Sequence, residues 1–168
     1  MKGPDRSPME GYDKMVVYGV SFDASRQPIV LLKAEEGTKY LPIWIGHPEA
    51  AAILMKLQNA ELPRPMTHDL MANILADLST KLMRVLVTEL KENTFYAVLQ
   101  LATPDGEIDV DSRPSDAIAL AVRTDAPIFA AHDLLDTSGV EFEQAPEDSE
   151  ELVQEFRDFL DHITPEDF

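Results

Sequence analysis

Residues 117–122, Ala-Ile-Ala-Leu-Ala-Val, carry no polar side chain and follow directly on Ser112-Arg113-Pro114-Ser115-Asp116. Alanine and leucine favour helix. A helix apolar on every side is a buried helix, and its alanines let other backbone approach closely. The fold has to supply packing partners around this segment. Pro114 disfavours helical geometry at the residue before it, which keeps Ser112 and Arg113 out of the helix. Ser115 is then the expected N-cap, worth about 1 kcal/mol. Asp116 in the first turn meets the positive end of the helix dipole, worth roughly 0.3–1 kcal/mol.

Three strands are expected near the start, at about 14–22, 28–34 and 39–45, rich in β-branched and aromatic residues and separated by turn-like "DASRQP" and "EEGT". A helix starts near Pro48, where proline suits the first turn. A second runs through "THDLMANILADLST", with Thr67 as N-cap and Leu70, Ile74, Leu75 and Leu78 as its apolar stripe. "KLMRVLVTEL" and "TFYAVLQLA" form a hairpin about Glu92-Asn93, with Phe95, Ala97, Leu99 and Leu101 on one face. "EIDVD" is the next strand and leads into the buried helix. A short strand and short helix, "APIFAAHDLLDT", come next. The fold class is therefore α+β: two strand-strand-strand-helix units with an additional helix between them, sheet packed on helices. Both third strands enter a helix through a short connection containing proline. Internal duplication and recurrence of common turn chemistry both account for that.

The chain has 168 residues, enough for one ordinary domain. It contains no cysteine, which excludes a disulfide scaffold, a thiolate metal site and a cysteine nucleophile, and fits a reducing compartment. The polar start has no apolar signal-peptide core, and no run approaches the ~20 residues of a membrane span, so a cytoplasmic location is expected. The net charge is −17, and from Glu141 onward 11 acidic residues face a single basic one, Arg157. The organisation expected is a flexible lead over 1–12, a domain over 13–140 and an acidic tail over 141–168. The tail includes a helix with Leu152, Phe156, Phe159 and Leu160 as its stripe. An acidic body is a poor long-range partner for phosphates, although a local arginine cluster or bound metal overrides net charge.

Capping leaves Arg113 unexplained. A guanidinium leading into a buried helix calls for a carboxylate or phosphate partner. Asp116, Asp69 or Glu49 could pair with it, or it could complete an anion site at the helix N-terminus. "RPMTHDL" (64–70) repeats the pattern with Arg64, His68 and Asp69, and "GHPEA" (46–50) does so with His47 and Glu49. If the three helix starts converge, carboxylates could hold a hard divalent cation and arginines a phosphate. His68 could then transfer a proton, since histidine changes charge near neutral pH. Glu107, Asp109 and Asp111 share a strand face, read as solvated or, alternatively, as a metal cluster. No phosphate-loop, zincin or nucleophile-elbow motif is present.

"LPIWIGHPEAAAI", "RPMTHDLM", "TFYAVLQL" and above all "VDSRPSDAIALAVRTDAPIFA" resemble the bifunctional nuclease domain family, over about residues 13 to 140. The resemblance implies an α+β domain that oligomerises and cleaves RNA and DNA. It carries over to Gly46, Glu49, Ala50, Arg64, Pro65, Thr67, His68, Asp69, Asp111, Arg113, Pro114, Ser115 and Asp116. Where many bacterial members add a small helical UvrB/UvrC-like motif, this chain has its acidic tail.

Two functions are therefore expected in competition. One is a nuclease assisted by Mg²⁺ or Mn²⁺, with Glu49, Asp69 and Asp116 on the metal, Arg64 and Arg113 on the scissile phosphate and His68 moving the proton. The other is a non-catalytic oligomeric module binding a small anionic ligand or a protein partner. A homo-oligomer, a dimer first, is expected in both, and no membrane partner in either.

Overall fold

Alternation of apolar and polar residues along the strands builds one face against which the helices close. The structure is a computed structural model and describes residues 9–142; the expected terminal helix lies outside the described residues. The order is β1 (Tyr12–Phe22), β2 (Pro28–Ala34), β3 (Lys39–Trp44), α1 (His47–Leu57), α2 (Thr67–Asp77), β4 (Lys81–Lys91), β5 (Thr94–Thr103), β6 (Gly106–Ser112), α3 (Pro114–Thr124), β7 (Ile128–Ala131), α4 (His132–Ser138) and β8 (Val140–Glu141). The two strand-strand-strand-helix units and the intervening helix are as expected.

All eight strands form one sheet in the order β6-β5-β4-β7-β1-β2-β3-β8. Each unit is an antiparallel meander, and β7 joins the two by pairing parallel with β4 and antiparallel with β1. The β4–β5 hairpin turns on Glu92 and Asn93, both at positive φ (51° and 61°), the geometry of a two-residue turn matched to strand twist.

Val30, Leu32, Leu41, Ile43, Val85, Val87, Ala97, Leu99 and Leu101 point from the sheet into the core. Helix α3 lies at its centre and touches α1, α2, β4 and β5. Ala117, Ile118, Ala119, Leu120 and Ala121 are each at most 1% exposed, so the apolar run is enclosed up to the partly buried Val122. Helix α1 covers β1 and β2, while β6 extends past the helical layer. There Ile108, on the same sheet side as the buried Leu101, is 48% exposed. None of the helices among the described residues is long and apolar enough to cross a membrane.

Two local expectations are corrected. In α2 the residues packed on the core are His68, Met71, Ala72 and Leu75, whereas Leu70, Ile74 and Leu78 face outward at 50%, 47% and 63% exposure. The helix carries two apolar rows, and the buried one shares its side with the inward-turned His68. The caps also differ. Helix α3 begins at Pro114, whose missing N–H costs nothing in the first turn. That places Arg113, extended at φ −68°, ψ 141°, in the capping position and Ser115 one residue inside, buried. Likewise Met66 precedes α2, with Thr67 its first residue, and the Met66 N–H donates to Asp69 Oδ2 at 2.9 Å.

The contrast between α3 and β6 is measurable. Ile118→Ala should cost about 2–5 kcal/mol in urea unfolding, because it opens a cavity at the centre of the core. Ile108→Thr, which keeps β-branching on an exposed strand, should change stability by no more than about 0.5 kcal/mol.

Candidate functional site

The starts of α1 and α3 are joined by one guanidinium. Arg113 Nη2 donates to Glu49 Oε1 at 2.9 Å and its Nε donates to Asp116 Oδ2 at 2.8 Å. The other oxygen of Asp116 lies 2.9 Å from His68 Nε2, in the first turn of α2. A continuous chain Glu49–Arg113–Asp116–His68 thus links all three helix starts. Its exposure is graded: the Arg113 side chain is 66% exposed, Asp116 26%, Glu49 14% and His68 8%.

Gly46, which precedes α1, leaves the space that Glu49 needs. A Cβ built on Gly46 would collide with Glu49 Oε2, although its φ of −77° suits any residue. Here glycine serves room rather than conformational freedom: a larger residue would push the Glu49 carboxylate from its present position.

Asp69 does not join this chain. Arg123, whose side chain is 6% exposed, donates from Nε to Asp69 Oδ1 at 2.7 Å, from Nη1 to the Ala119 carbonyl at 2.8 Å and from Nη2 to the Ala52 carbonyl at 2.9 Å. One buried guanidinium therefore clasps α1, α2 and α3 together behind the site. Sequence reasoning missed it, because an arginine in the last turn of a helix reads as an ordinary dipole partner. The available signal was its place beside a run with no solvent-facing side. Arg64 is also set apart. It is exposed and lines a depression of 330 Å³ with Lys56, Asp69 and Arg123, whereas Arg113 opens on a different groove.

That groove has a volume of 630 Å³, and its walls include Trp44, Asn93, Thr94, Phe95, Arg113 and Ser115. Trp44 ends β3 with 56% of its surface exposed. Its Nε1–H donates to Asp23 Oδ2 at 3.0 Å. A strand tryptophan reads as core, so its position in the sequence carries no functional mark. His68 lines neither groove.

Burial alone would raise the Asp116 carboxyl, but its bonds from Arg113 and His68 outweigh this and hold it below the usual carboxylate value. Burial likewise acts upward on Asp69 and is outweighed by the Met66 N–H and Arg123. Arg113 is pushed further up, first by Asp116 and then by Glu49. As placed, the three carboxylates expected to hold Mg²⁺ or Mn²⁺ do not form a metal cage. Arg113 stands between Glu49 and Asp116, and both oxygens of Asp69 are engaged. Among the described residues no group of three histidine or carboxylate side chains is arranged to hold an ion.

A family model described as the bifunctional nuclease domain matches residues 30–143. The chain belongs to the bifunctional nuclease domain family. The matched span begins inside β2, so this bifunctional nuclease domain contains the whole chain from Glu49 to His68 and the Arg123 clasp. A protein of Mycobacterium tuberculosis is 41% identical over 148 residues, covering 84% of this chain and 88% of its own. "Bifunctional nuclease 1" of Oryza sativa subsp. japonica is 29% identical over 135 residues, 78% of this chain and 40% of the rice protein. "Bifunctional nuclease 1" of Arabidopsis thaliana is 28% identical over 110 residues, 63% of this chain and 34% of its own. The bifunctional nuclease domain seen here thus spans less than half the length of those plant proteins.

The depressed carboxyls give a signed pH dependence. Their folded values lie below the unfolded aspartate value of about 3.9, so their stabilisation is complete above that pH. It is lost as pH falls through the lower folded values. Denaturant unfolding between about pH 2 and pH 6 should show this acid arm. The Asp69→Asn/Asp116→Asn double variant should be less stable at pH 7 and show a shallower arm.

Proposed function

We propose that the chain is a nuclease that hydrolyses phosphodiester bonds of RNA, DNA or both, with Arg113 as the phosphate clamp. The observation that carries this reading is Arg113 itself: two-thirds exposed on a groove, yet oriented by two carboxylates at the junction of helix starts. A planar guanidinium suits two-point recognition of phosphate. In this reading a substrate phosphate exchanges for a carboxylate on Arg113, which then stabilises charge gathering on the phosphoryl oxygens. Asp116 is the proton-handling carboxylate beside the clamp. His68, buried behind it, takes part through Asp116 and does not touch substrate. Arg64 is left out of the clamp because it lines a separate depression. No step is assigned to a divalent ion, so Mg²⁺ or Mn²⁺ enters only as a variable of the assay.

One observation favours the non-catalytic alternative. Arg113 is already paired with Glu49 and Asp116 in a chain of net charge −17, which gives a polyanionic substrate no long-range attraction. Degradation of labelled single-stranded RNA and DNA, with Mg²⁺, with Mn²⁺ and with chelator, separates the two. Wild type should degrade at least one substrate, and Arg113→Ala should lower specific activity per folded molecule by roughly 100-fold or more, as loss of a transition-state donor does. No degradation under any condition would leave the anion-binding module. Wild-type specific activity in Arg113→Ala would remove Arg113 from the clamp.

Self-association belongs to the same reading. The outward row Met66, Leu70, Ile74 and Leu78, on α2 and at its two ends, is the face that would carry a dimer of identical chains. Light scattering coupled to size exclusion should give a dimer for wild type and a monomer for Leu70→Asp/Leu78→Asp. An unchanged mass would place any interface elsewhere.

A further inference from the structure

Trp44 presents an indole that the fold fixes without burying. Asp23 Oδ2 accepts its Nε1–H, while Asp23 Oδ1 accepts the backbone N–H groups of Ser25 and Gln27, so the anchor is itself held by its own turn. The bond to Asp23 orients the ring, yet 56% of the residue's surface stays exposed. Core packing does not explain that combination, whereas a pre-oriented stacking surface does. The same groove holds Phe95 on one wall and the exposed Arg113 at its edge. Its 630 Å³ falls within the range of sites that take a nucleotide-sized ligand.

We propose that this groove binds one unstacked nucleobase of a single-stranded nucleic acid, the base lying on Trp44 and an adjoining phosphate meeting Arg113. The inference rests on the nuclease reading and adds the form of the substrate. A duplex keeps its bases stacked on each other and cannot offer one to the indole. Stacking is tolerant of base identity, since every base has a π-face. It also suits an acidic protein, because it draws its affinity from a face-to-face contact and not from a field that repels phosphates. With a single phosphate neutralised, the slope of log K against log salt should be near −0.7, far shallower than for a basic groove.

Trp44 is the only tryptophan in the chain, so its fluorescence reports on this groove alone. The probes are a 2′-O-methyl oligonucleotide that resists hydrolysis, the same strand annealed to its complement, an abasic strand of equal length and a nucleoside monophosphate. The single strand should quench Trp44 saturably, and the duplex and abasic strand should not. In fluorescence anisotropy with a dye-labelled strand, Trp44→Ala should weaken binding roughly tenfold or more, and Trp44→Phe should restore most of it. Equal quenching by duplex or abasic strand, or binding of the single strand without quenching, would overturn the proposal. So would quenching by the monophosphate as strong as by the strand, which points to a small-ligand site. RNA or DNA degradation without Trp44 quenching would sink the stacking site and leave the nuclease reading standing. Quenching without degradation would do the reverse. Thermal melts of both variants confirm folding, which the exposed position favours.

Discussion

Enclosure of α3 is the constraint on which the rest of this molecule depends. An alanine-rich helix with no solvent side draws α1, α2, β4 and β5 to within close packing distance. Its first turn is therefore delivered to a place where other helix starts already stand. Three positive helix ends in one region repel each other. Glu49, Asp69 and Asp116, each in a first turn, supply the compensating charge. The carboxylates are thus an electrostatic requirement of the packing before they have any part in chemistry.

Two arginines divide those carboxylates between them, with opposite solvent exposure. Arg123 is enclosed and also satisfies two backbone carbonyls, so its removal would strand buried acceptors as well as Asp69. Arg113 faces outward, its side chain two-thirds exposed, while its partners Glu49 and Asp116 are themselves mostly buried. The same residue type therefore serves as an enclosed clasp on one side of the junction and a solvent-facing link on the other.

Much of this was legible in the sequence. The apolar run from Ala117 to Val122 announced a buried helix, Pro114 announced its boundary, and period-2 alternation announced the strands. Of Glu49, Asp69, Arg113 and Asp116, expected at one site if the helix starts converge, all but Asp69 are joined. What failed were choices between near-equivalent local patterns. Helix α2 carries two apolar rows, and the one on the side of its links to α3, His68 to Asp116 and Asp69 to Arg123, faces the core. Ser115 has the chemistry of a cap, yet proline's preference for the first turn moved the boundary to Arg113. Asp69 was expected at the shared site because its partner Arg123 lies 54 positions away, and no local spacing links the two. Trp44 escaped notice because composition tells that an aromatic lies in a strand but not that its strand ends at a groove.

The two outer strands of the sheet are defended in unlike ways. On β6 the carboxylates of Glu107, Asp109 and Asp111 stand in a row beside the unpaired backbone edge, all exposed. A second β6 approaching that edge would bring its own row of like charges alongside. At the opposite end β8 has only two residues, too few to template another strand. It pairs only with Lys39 and Tyr40, so that end relies on shortness and the β6 end on charge. The acidic row thus acts as a guard against fibrous aggregation, a role that calls for no bound cation and would be weakened by any salt strong enough to screen it.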